Sequence, residues 1–246
     1  MLFLKLLVGG IICLLLLIPL LLTKLLCIHS LNNWLARKMY GGILLVFGVH
    51  PNLIKEDDFK KSTLYVCNHI SFLDILVLGS QIPGCFVSKA EVAKWPFVGF
   101  FAWLTGTIFV DRTATNAAKQ LQQMQNHLIK GRSLILFPEG TSTQGHSILP
   151  FKSSFFKLVE LEALKNKMHV QPLNISYNKC YNTPLRYHEG YNYYFIGDMD
   201  VLGILRNTFK LGKVVAEISV KQHLQLESSK HNRKLVAKQA HKAVAN

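Results

Sequence analysis

Cysteine is scarce in this sequence, and the few cysteines form no recognisable pattern. The five are scattered along the chain, and no two have the Cys-x-x-Cys spacing of zinc or redox sites. Small secreted domains that depend on disulfide bonds are therefore excluded. Isolated, reduced cysteines are typical of a domain that faces the cytoplasm.

Acidic residues are also few. The 246 residues include 14 acidic and 28 basic side chains, which gives a formal net charge of +14, and half of the residues are apolar. This combination favours an anionic membrane surface or a nucleic acid as partner. No motif interleaves aromatic and basic residues as nucleic-acid-binding modules do, so no nucleic acid partner is expected.

Two further signatures are missing. The sequence has no Gly-x-Ser-x-Gly, the motif that presents a nucleophilic serine, and no cluster of residues with metal-ligand spacing. We therefore expect neither a protein nucleophile nor a bound metal, and no other cofactor.

One long apolar run is present near the N-terminus. It extends from Leu6 to Leu22 between Lys5 and Lys24, a length at the short end for a membrane-spanning helix. We expect a membrane anchor here, because no small-x-small cleavage site follows the run to support a cleaved signal peptide. Pro19 would kink the run, so a shallow or re-entrant insertion stays open.

A second apolar segment follows at residues 25–47. Its Trp34, Arg37 and Lys38 suit the interface between lipid and water, and Gly41-Gly42 is a candidate break. More basic residues follow the first run than precede it. This bias predicts that the rest of the chain lies on the cytoplasmic side of the membrane.

The remaining chain alternates strand-like and helix-like segments, which predicts an α/β fold with a mixed sheet flanked by helices. We divide the chain into membrane-anchoring and interfacial helices at 1–50, a domain at 51–225 and a basic C-terminal tail at 226–246. The expected strands lie at 63–66, 85–89, 106–110, 133–137, 168–176, 191–196 and 214–220.

Residues 95–104 leave two alternatives open. The segment is apolar on every side and contains two tryptophans and three phenylalanines. A core helix would have this composition, and so would a membrane contact or the wall of an acyl-chain site.

A histidine and an aspartate stand where the strand at 63–66 gives way to a helix. On one continuous helix, His69 and Asp74 would point about 140° apart and could not touch. Ser71-x-x-Asp74 is a capping-box pattern, however, which predicts Ser71 as the N-cap and Asp74 as the third helical residue. His69 then lies in the preceding loop, where Asp74 can hold one tautomer and leave the other ring nitrogen as a base.

Polar residues follow three of the predicted strands: His69, Asp111-Arg112 and the segment 138–141. In an α/β sheet such strand ends meet in one crevice. The cations Lys89, Arg112 and Lys152 favour an anionic substrate. A base without a protein nucleophile favours direct removal of a proton from a substrate hydroxyl.

Four sequence blocks, in order, resemble the glycerolipid acyltransferase family of the PlsC type, which includes 1-acylglycerol-3-phosphate acyltransferases. The resemblance covers about residues 60 to 180, and the fourfold match is far more specific than any one block. The blocks are Asn68 to Asp74 with its His-x-x-x-x-Asp motif, Lys89 to Arg112, Phe137 to Thr141, and Val170 to Leu173.

The resemblance implies an acyl transfer to a lysolipid. His69 would take the proton of the acceptor hydroxyl, and Asp74 would orient His69. The oxygen would attack the thioester of an acyl-CoA or acyl-carrier-protein donor, at the cytoplasmic face of a bacterial inner membrane. Backbone N–H groups near Gly140 would stabilise the oxyanion.

The resemblance also implies an acceptor site. Glu139, Gly140 and Thr141 match the acceptor-binding block, and Arg112 with Lys89 would hold an anionic head group. Lys152 is a further candidate for this contact.

The third block departs from the commonest pattern at Ser142, where many phosphate-accepting members have arginine. The sequence of this block resembles that of the lyso-ornithine lipid acyltransferase branch. We expect 1-acylglycerol-3-phosphate as acceptor because it is the commonest in the family, with lyso-ornithine lipid as the alternative. The remote alternative is a basic lipid-binding membrane protein without catalysis, which would need neither the His–Asp pair nor the Glu-Gly-Thr block.

Overall fold

The computed structural model describes most of the chain. The expected strand at 191–196 and Arg112 lie outside the described residues, which are 2–111, 114–143, 147–180, 183–184, 213–226 and 232–245.

Helices and strands alternate along the middle of the chain. The α-helices are α1 (Leu2–Leu25), α2 (His29–Phe47), α3 (Leu73–Gln81), α4 (Val98–Leu104), α5 (Ala114–Ile129) and α6 (Arg233–Ala245). The strands are β1 (Val49–Lys55), β2 (Thr63–Cys67), β3 (Cys85–Lys89), β4 (Ile108–Val110), β5 (Leu134–Leu136), β6 (His169–Cys180), β7 (Thr183–Pro184) and β8 (Val214–Val220). Short 3₁₀ helices lie at Ala90–Lys94, Ser153–Glu160 and Glu162–Leu164.

The strands form one mixed sheet in the order β1-β8-β6-β2-β5-β3-β4, with β7 paired to β6. From β6 to β4, each neighbouring pair is parallel. The strand β8 runs antiparallel to β6 and parallel to β1. The predicted α/β fold with a mixed sheet and flanking helices is therefore confirmed.

Apolar side chains pack on both faces of the sheet. The helices α2 and α3 cover one face, where Met39, Leu44 and Val77 are fully or almost fully buried. The helices α5 and α6 and the 3₁₀ helix at Ser153–Glu160 cover the other, where Leu128 and Phe156 are fully buried. A sheet buried on both faces needs near-continuous apolar strands, as in β2, in which all five residues are buried.

The N-terminal helices form an antiparallel pair. Gly42 of α2 lies against Ile12, and Gly9 of α1 lies against Val46, so two glycines allow the helices to approach closely. The helix α2 runs unbroken through Gly41-Gly42, so the break considered there is wrong. Among the described residues, one helix segment, Leu7–Leu25, is long and apolar enough to cross a membrane, and 17% of it is buried in the protein.

The aromatic segment at 95–104 is not a core helix. The helix α4 is short, and Gly99 and Leu104 are its only buried residues. Phe97 is 81% exposed, and Trp95 and Phe100 are each 46% exposed. The core alternative for this segment is therefore wrong.

The basic C-terminal segment folds onto the domain. Apolar side chains of α6, among them Val236, Ala240 and Val244, are buried beside the 3₁₀ helix at Ser153–Glu160. The lysines of α6 lie on its exposed side.

Candidate active site

The carboxyl ends of the central parallel strands place the predicted site residues at one edge of the sheet. His69 follows β2, the segment Phe137–Thr141 follows β5, and Lys89 ends β3. Because β3, β5 and β2 are neighbours and parallel, these segments emerge on the same side.

The predicted contact between His69 and Asp74 is present. The Nδ1 atom of His69 lies 2.8 Å from Oδ2 of Asp74. The helix begins at Leu73, so Asp74 is its second residue rather than its third. Phe72 is therefore the N-cap, and the prediction of Ser71 as the N-cap is wrong. One of the two capping-box hydrogen bonds forms, from the Ser71 N–H to the Asp74 carboxylate, whereas Ser71 Oγ accepts from the Leu73 N–H and the Asp74 N–H donates to the Ser71 carbonyl.

The Asp74 carboxylate is fully buried and accepts four hydrogen bonds. Its Oδ2 takes the His69 ring N–H and the N–H groups of Ile70 and Ser71, each at 2.8 Å. Its Oδ1 takes the hydroxyl of Tyr177 at 2.8 Å. A carboxylate surrounded only by donors is held in one orientation.

The backbone and ring of His69 are also fixed from the neighbouring loops. Its N–H donates to Glu139 Oε1 at 2.8 Å, and its carbonyl accepts the Thr143 N–H at 2.8 Å. Its ring stacks on Phe137, with centroids 4.1 Å apart and planes 16° apart. The imidazole therefore has little freedom to leave its position beside Asp74.

This arrangement decides the tautomer of His69. The carboxylate of Asp74 can only accept, so Nδ1 carries a proton and Nε2 has the lone pair. The side chain is 20% exposed, so a substrate has partial access to the ring. The geometry is that of a general base oriented by a carboxylate.

Glu139 ties two loops together. Oε1 accepts the His69 N–H and Oε2 accepts the Leu149 N–H, both at 2.8 Å, and the residue is 1% exposed. Burial raises the pKa of this carboxyl, and the two backbone N–H groups oppose the shift. Both carboxylate oxygens of Glu139 already accept from backbone N–H groups. A contact between Glu139 and the lysolipid acceptor remains a prediction.

Gly140 and Lys152 are close neighbours. Gly140 has a φ of +74°, and a Cβ built there would lie 2.8 Å from Lys152 Nζ. The Lys152 N–H also donates to the Pro138 carbonyl. The loop after β5 therefore needs a glycine, and the predicted cation Lys152 lies across it.

Lys89 and Thr141 are exposed, at the ends of β3 and of the third block. Their contacts with substrate, like those of Arg112, Gly140 and Lys152, stay predictions. Among the described residues, no group of three or more His, Cys, Asp or Glu side chains could hold a metal ion.

Sequence reasoning missed Tyr177, Phe137 and Asn68 as site residues. Asn68 accepts the Ile175 N–H and donates to the Ile175 carbonyl, which ties the end of β2 to β6. Tyr177 is 103 positions from Asp74 and has no local signal. Phe137 is the first residue of the third block, and its position there was the one available hint.

The sequence profile of the Acyltransferase family matches residues 49–176, more than half of the chain. The chain belongs to the acyltransferase family. This acyltransferase chain is 34% identical to a lyso-ornithine lipid O-acyltransferase of Pseudomonas aeruginosa, over 75% of this chain and 67% of that protein. It is 33% identical to the 1-acyl-sn-glycerol-3-phosphate acyltransferase of Escherichia coli, over 48% of this chain and 51% of that protein.

The match to other relatives is partial. A lyso-ornithine lipid O-acyltransferase of Rhodobacter capsulatus is 41% identical to this chain. The matched region covers 46% of this chain and 41% of that protein. The chain therefore spans about half the length of several curated relatives that it matches.

A solved structure shares the fold. The crystal structure of the 1-acyl-sn-glycerophosphate acyltransferase PlsC from Thermotoga maritima gives a TM-score of 0.59 at 18% identity, over 92% of this chain and 85% of that one. The likeness shows that the two chains have the same fold.

Proposed function

We propose that this protein is a membrane-bound O-acyltransferase that moves a fatty acyl group from acyl-CoA or acyl-carrier protein to the hydroxyl of a lysolipid. The observation that carries the proposal is the His69–Asp74 pair, whose carboxylate is held by four donors. Membership in the acyltransferase family supports it.

The reaction follows from the tautomer. Nε2 of His69 takes the proton of the acceptor hydroxyl as that oxygen bonds to the thioester carbonyl carbon. The carbon–sulfur bond then breaks, and the imidazolium returns its proton to the thiolate that leaves. Asp74 stabilises the imidazolium between these two steps.

Lyso-ornithine lipid is the acceptor that the comparisons favour. Relatives that bear the name lyso-ornithine lipid O-acyltransferase are 32–41% identical to the chain. The 1-acyl-sn-glycerol-3-phosphate acyltransferases are 29–33% identical. Ser142, in place of a phosphate-binding arginine, agrees with this order. The sequence alone favoured 1-acylglycerol-3-phosphate, which we keep as the second candidate.

The helix α1 anchors the protein, with the catalytic domain on the cytoplasmic side. It packs antiparallel to α2, which itself packs on α3 through Tyr40 against Gly79 and through Arg37 to the carbonyls of Ser80 and Gln81. If α1 crossed the bilayer perpendicular to the membrane plane, its packing on α2 would place part of the catalytic domain inside the bilayer. We therefore infer that α1 lies in the plane of one leaflet, with the exposed aromatic residues of α4 beside it.

The test is turnover by the purified full-length protein. Wild-type protein with an acyl thioester and lyso-ornithine lipid should give the diacylated lipid by mass spectrometry. His69→Ala should lower the rate by about 10² to 10⁴, the usual contribution of a general base. His50→Ala, on β1 and outside the site, is the matched control. Near-normal turnover of His69→Ala would contradict the mechanism.

The acceptor is tested at position 142. Ser142→Arg should raise kcat/KM for 1-acylglycerol-3-phosphate relative to lyso-ornithine lipid by about ten- to a hundredfold, because the guanidinium can pair with a phosphate monoester. A wild type that turns over only 1-acylglycerol-3-phosphate, with a silent Ser142→Arg, would reverse the choice of acceptor.

A further inference from the structure

A cluster of basic residues lies at the edge of the sheet opposite His69. Lys24 lies in the last turn of α1, and His29 begins α2. Lys130 and Arg132 lie in the turn between α5 and β5. Arg132 is next to Ser133, whose carbonyl accepts the N–H of Cys85 at the start of β3. The cluster therefore lies at the amino ends of β3 and β5, whereas His69 follows the carboxyl end of β2.

The cluster contains three cations, Lys24, Lys130 and Arg132, with His29 beside them. Burial lowers the pKa of His29, and the charges of Arg132, Lys24 and Lys130 lower it further. Burial also lowers the pKa of His127 to about 4, again with help from Arg132 and Lys24.

Contacts connect the two turns. Lys24 lies over the ring of Trp103, the Gly106 N–H donates to the Trp103 carbonyl, and Cys85 Sγ lies 4.0 Å from a Cβ built at Gly106. Cys85 Sγ also lies 3.0 Å from Nε2 of His127, whose carbonyl accepts the Arg132 N–H.

The described residues place no carboxylate in an ion pair with these cations. Among the residues that the structure describes, none of the four basic side chains forms an ion pair with Asp or Glu. The Nζ atom of Lys24 instead lies 5.5 Å from the centroid of the Trp103 ring. Cations gathered without counterions are unfavourable in isolation and are stabilised by an anion.

The surroundings of the cluster are apolar and exposed. At the end of α1 and in the turn that follows it, Leu25 is 65% exposed, Leu26 is 67% exposed and Ile28 is 44% exposed. Trp103 of α4, which carries Lys24 on its face, is 41% exposed. Positive charge beside exposed leucine and tryptophan matches the boundary between lipid head groups and acyl chains.

We propose that Lys24, His29, Lys130 and Arg132 form a binding site for the phosphate of an anionic phospholipid head group, separate from the catalytic site. The acyl chains of this lipid lie on the exposed leucines of the turn and beside Trp103. The site rests on the proposed attachment to a membrane but not on the acyl-transfer chemistry. It orients the domain by pinning the edge of the sheet opposite His69 to the head-group layer.

The experiment counts bound lipid on the full-length protein. Detergent-solubilised protein is titrated with phosphatidylglycerol or phosphatidylcholine of equal chain length, and native mass spectrometry measures retention. Wild type should retain phosphatidylglycerol in preference. The triple variant Lys24→Gln, Lys130→Gln and Arg132→Gln should bind it about a hundredfold more weakly, since each cation near anionic lipid typically contributes about fivefold.

A matched control removes the same charge elsewhere. Lys234→Gln, Lys238→Gln and Lys242→Gln act on the exposed side of α6 and should leave retention unchanged. Equal retention of both lipids by wild type, equal retention by wild type and the cluster variant, or an equal loss in the α6 variant would each overturn the site. Full competition by submillimolar glycerol 3-phosphate would assign a soluble phosphate instead.

The outcome separates this site from the proposed function. Wild type that acylates lysolipid but shows no preference for phosphatidylglycerol would remove the site and keep the enzyme. Wild type that prefers phosphatidylglycerol but transfers no acyl group would keep the lipid site and remove the proposed enzyme function.

Discussion

The Asp74 side chain is tightly constrained in the described structure. Its carboxylate is fully buried, and donors from its own loop and from β6 fill both oxygens. A buried carboxylate without such donors would be protonated or strongly destabilising. The hydrogen bonds therefore serve both stability and the orientation of His69.

Tyr177→Phe tests the donor from β6. The substitution removes the hydroxyl that Oδ1 accepts and should lower the free energy of unfolding by about 1.5–3 kcal/mol, as expected for a hydrogen bond to a charged group. It should also lower kcat, because Asp74 loses one of the contacts that fix it. Denaturant unfolding and single-acceptor kinetics measure the two effects.

The matched control for this change is Tyr65→Phe. Tyr65 is fully buried in β2, and its hydroxyl has no hydrogen-bond partner in the described part of the chain. Its removal should be neutral or stabilising. Equal effects of the two substitutions on stability would show that the bond between Tyr177 and Asp74 contributes nothing specific.

At the scale of elements, a buried cysteine–histidine pair joins β3 to α5. Sγ of Cys85 lies 3.0 Å from Nε2 of His127. Burial raises the pKa of the Cys85 thiol to about 11 and lowers the pKa of His127 to about 4. Both groups are therefore neutral at pH 7, and a hydrogen bond joins them.

This pair predicts an acid sensitivity. His127 is neutral in the fold down to about pH 4, whereas an unfolded histidine binds a proton below about pH 6.5. Its contribution to stability is thus complete above about pH 6.5 and is lost as the pH falls through about 4, with a total on the order of 3 kcal/mol. Unfolding at pH 7 and pH 5 measures the loss.

His127→Gln keeps an acceptor near Cys85 but cannot titrate in this range. Its free energy of unfolding should fall less between pH 7 and pH 5 than that of the wild type. The same fall in both proteins would assign the acid sensitivity to other groups.

At the scale of the whole molecule, the outer face of α1 is an apolar surface that the described part of the fold leaves uncovered. Leu14, Leu15 and Ile18 are 65–69% exposed, although they are strongly apolar. Exposed apolar surfaces of this kind are unfavourable in water and mark contacts with lipid or protein.

The triple change Leu14→Ser, Leu15→Ser and Ile18→Ser tests the membrane contact. The side chains are exposed, so the fold should be retained, while each loses a favourable transfer into lipid of about 1.5–3 kcal/mol. Fractionation of cells should move the variant from the membrane pellet to the supernatant. The control, Ile54→Ser, Ile129→Ser and Leu235→Ser, should stay in the membrane pellet. If the α1 variant also stays in the pellet, α1 does not contact the membrane through this face.

Short-range features were readable from the residues. The strand β2, the helix α3 and the contact between His69 and Asp74 all lie within 20 residues, and the capping-box spacing fixes their mutual geometry. The apolar run of α1 and the alternation of strands and helices were readable for the same reason. Local backbone conformation and periodicity decide them without reference to distant parts of the chain.

The tertiary structure alone decided what surrounds that pair. Glu139 and Tyr177 reach the His69–Asp74 unit from 70 and 103 positions away, because β5 and β6 are the two neighbours of β2 in the sheet. Chain order does not give strand order, so no local pattern could place them. The exposure of α4 was likewise undecided until its neighbours were known, since an apolar segment buries only what another element covers.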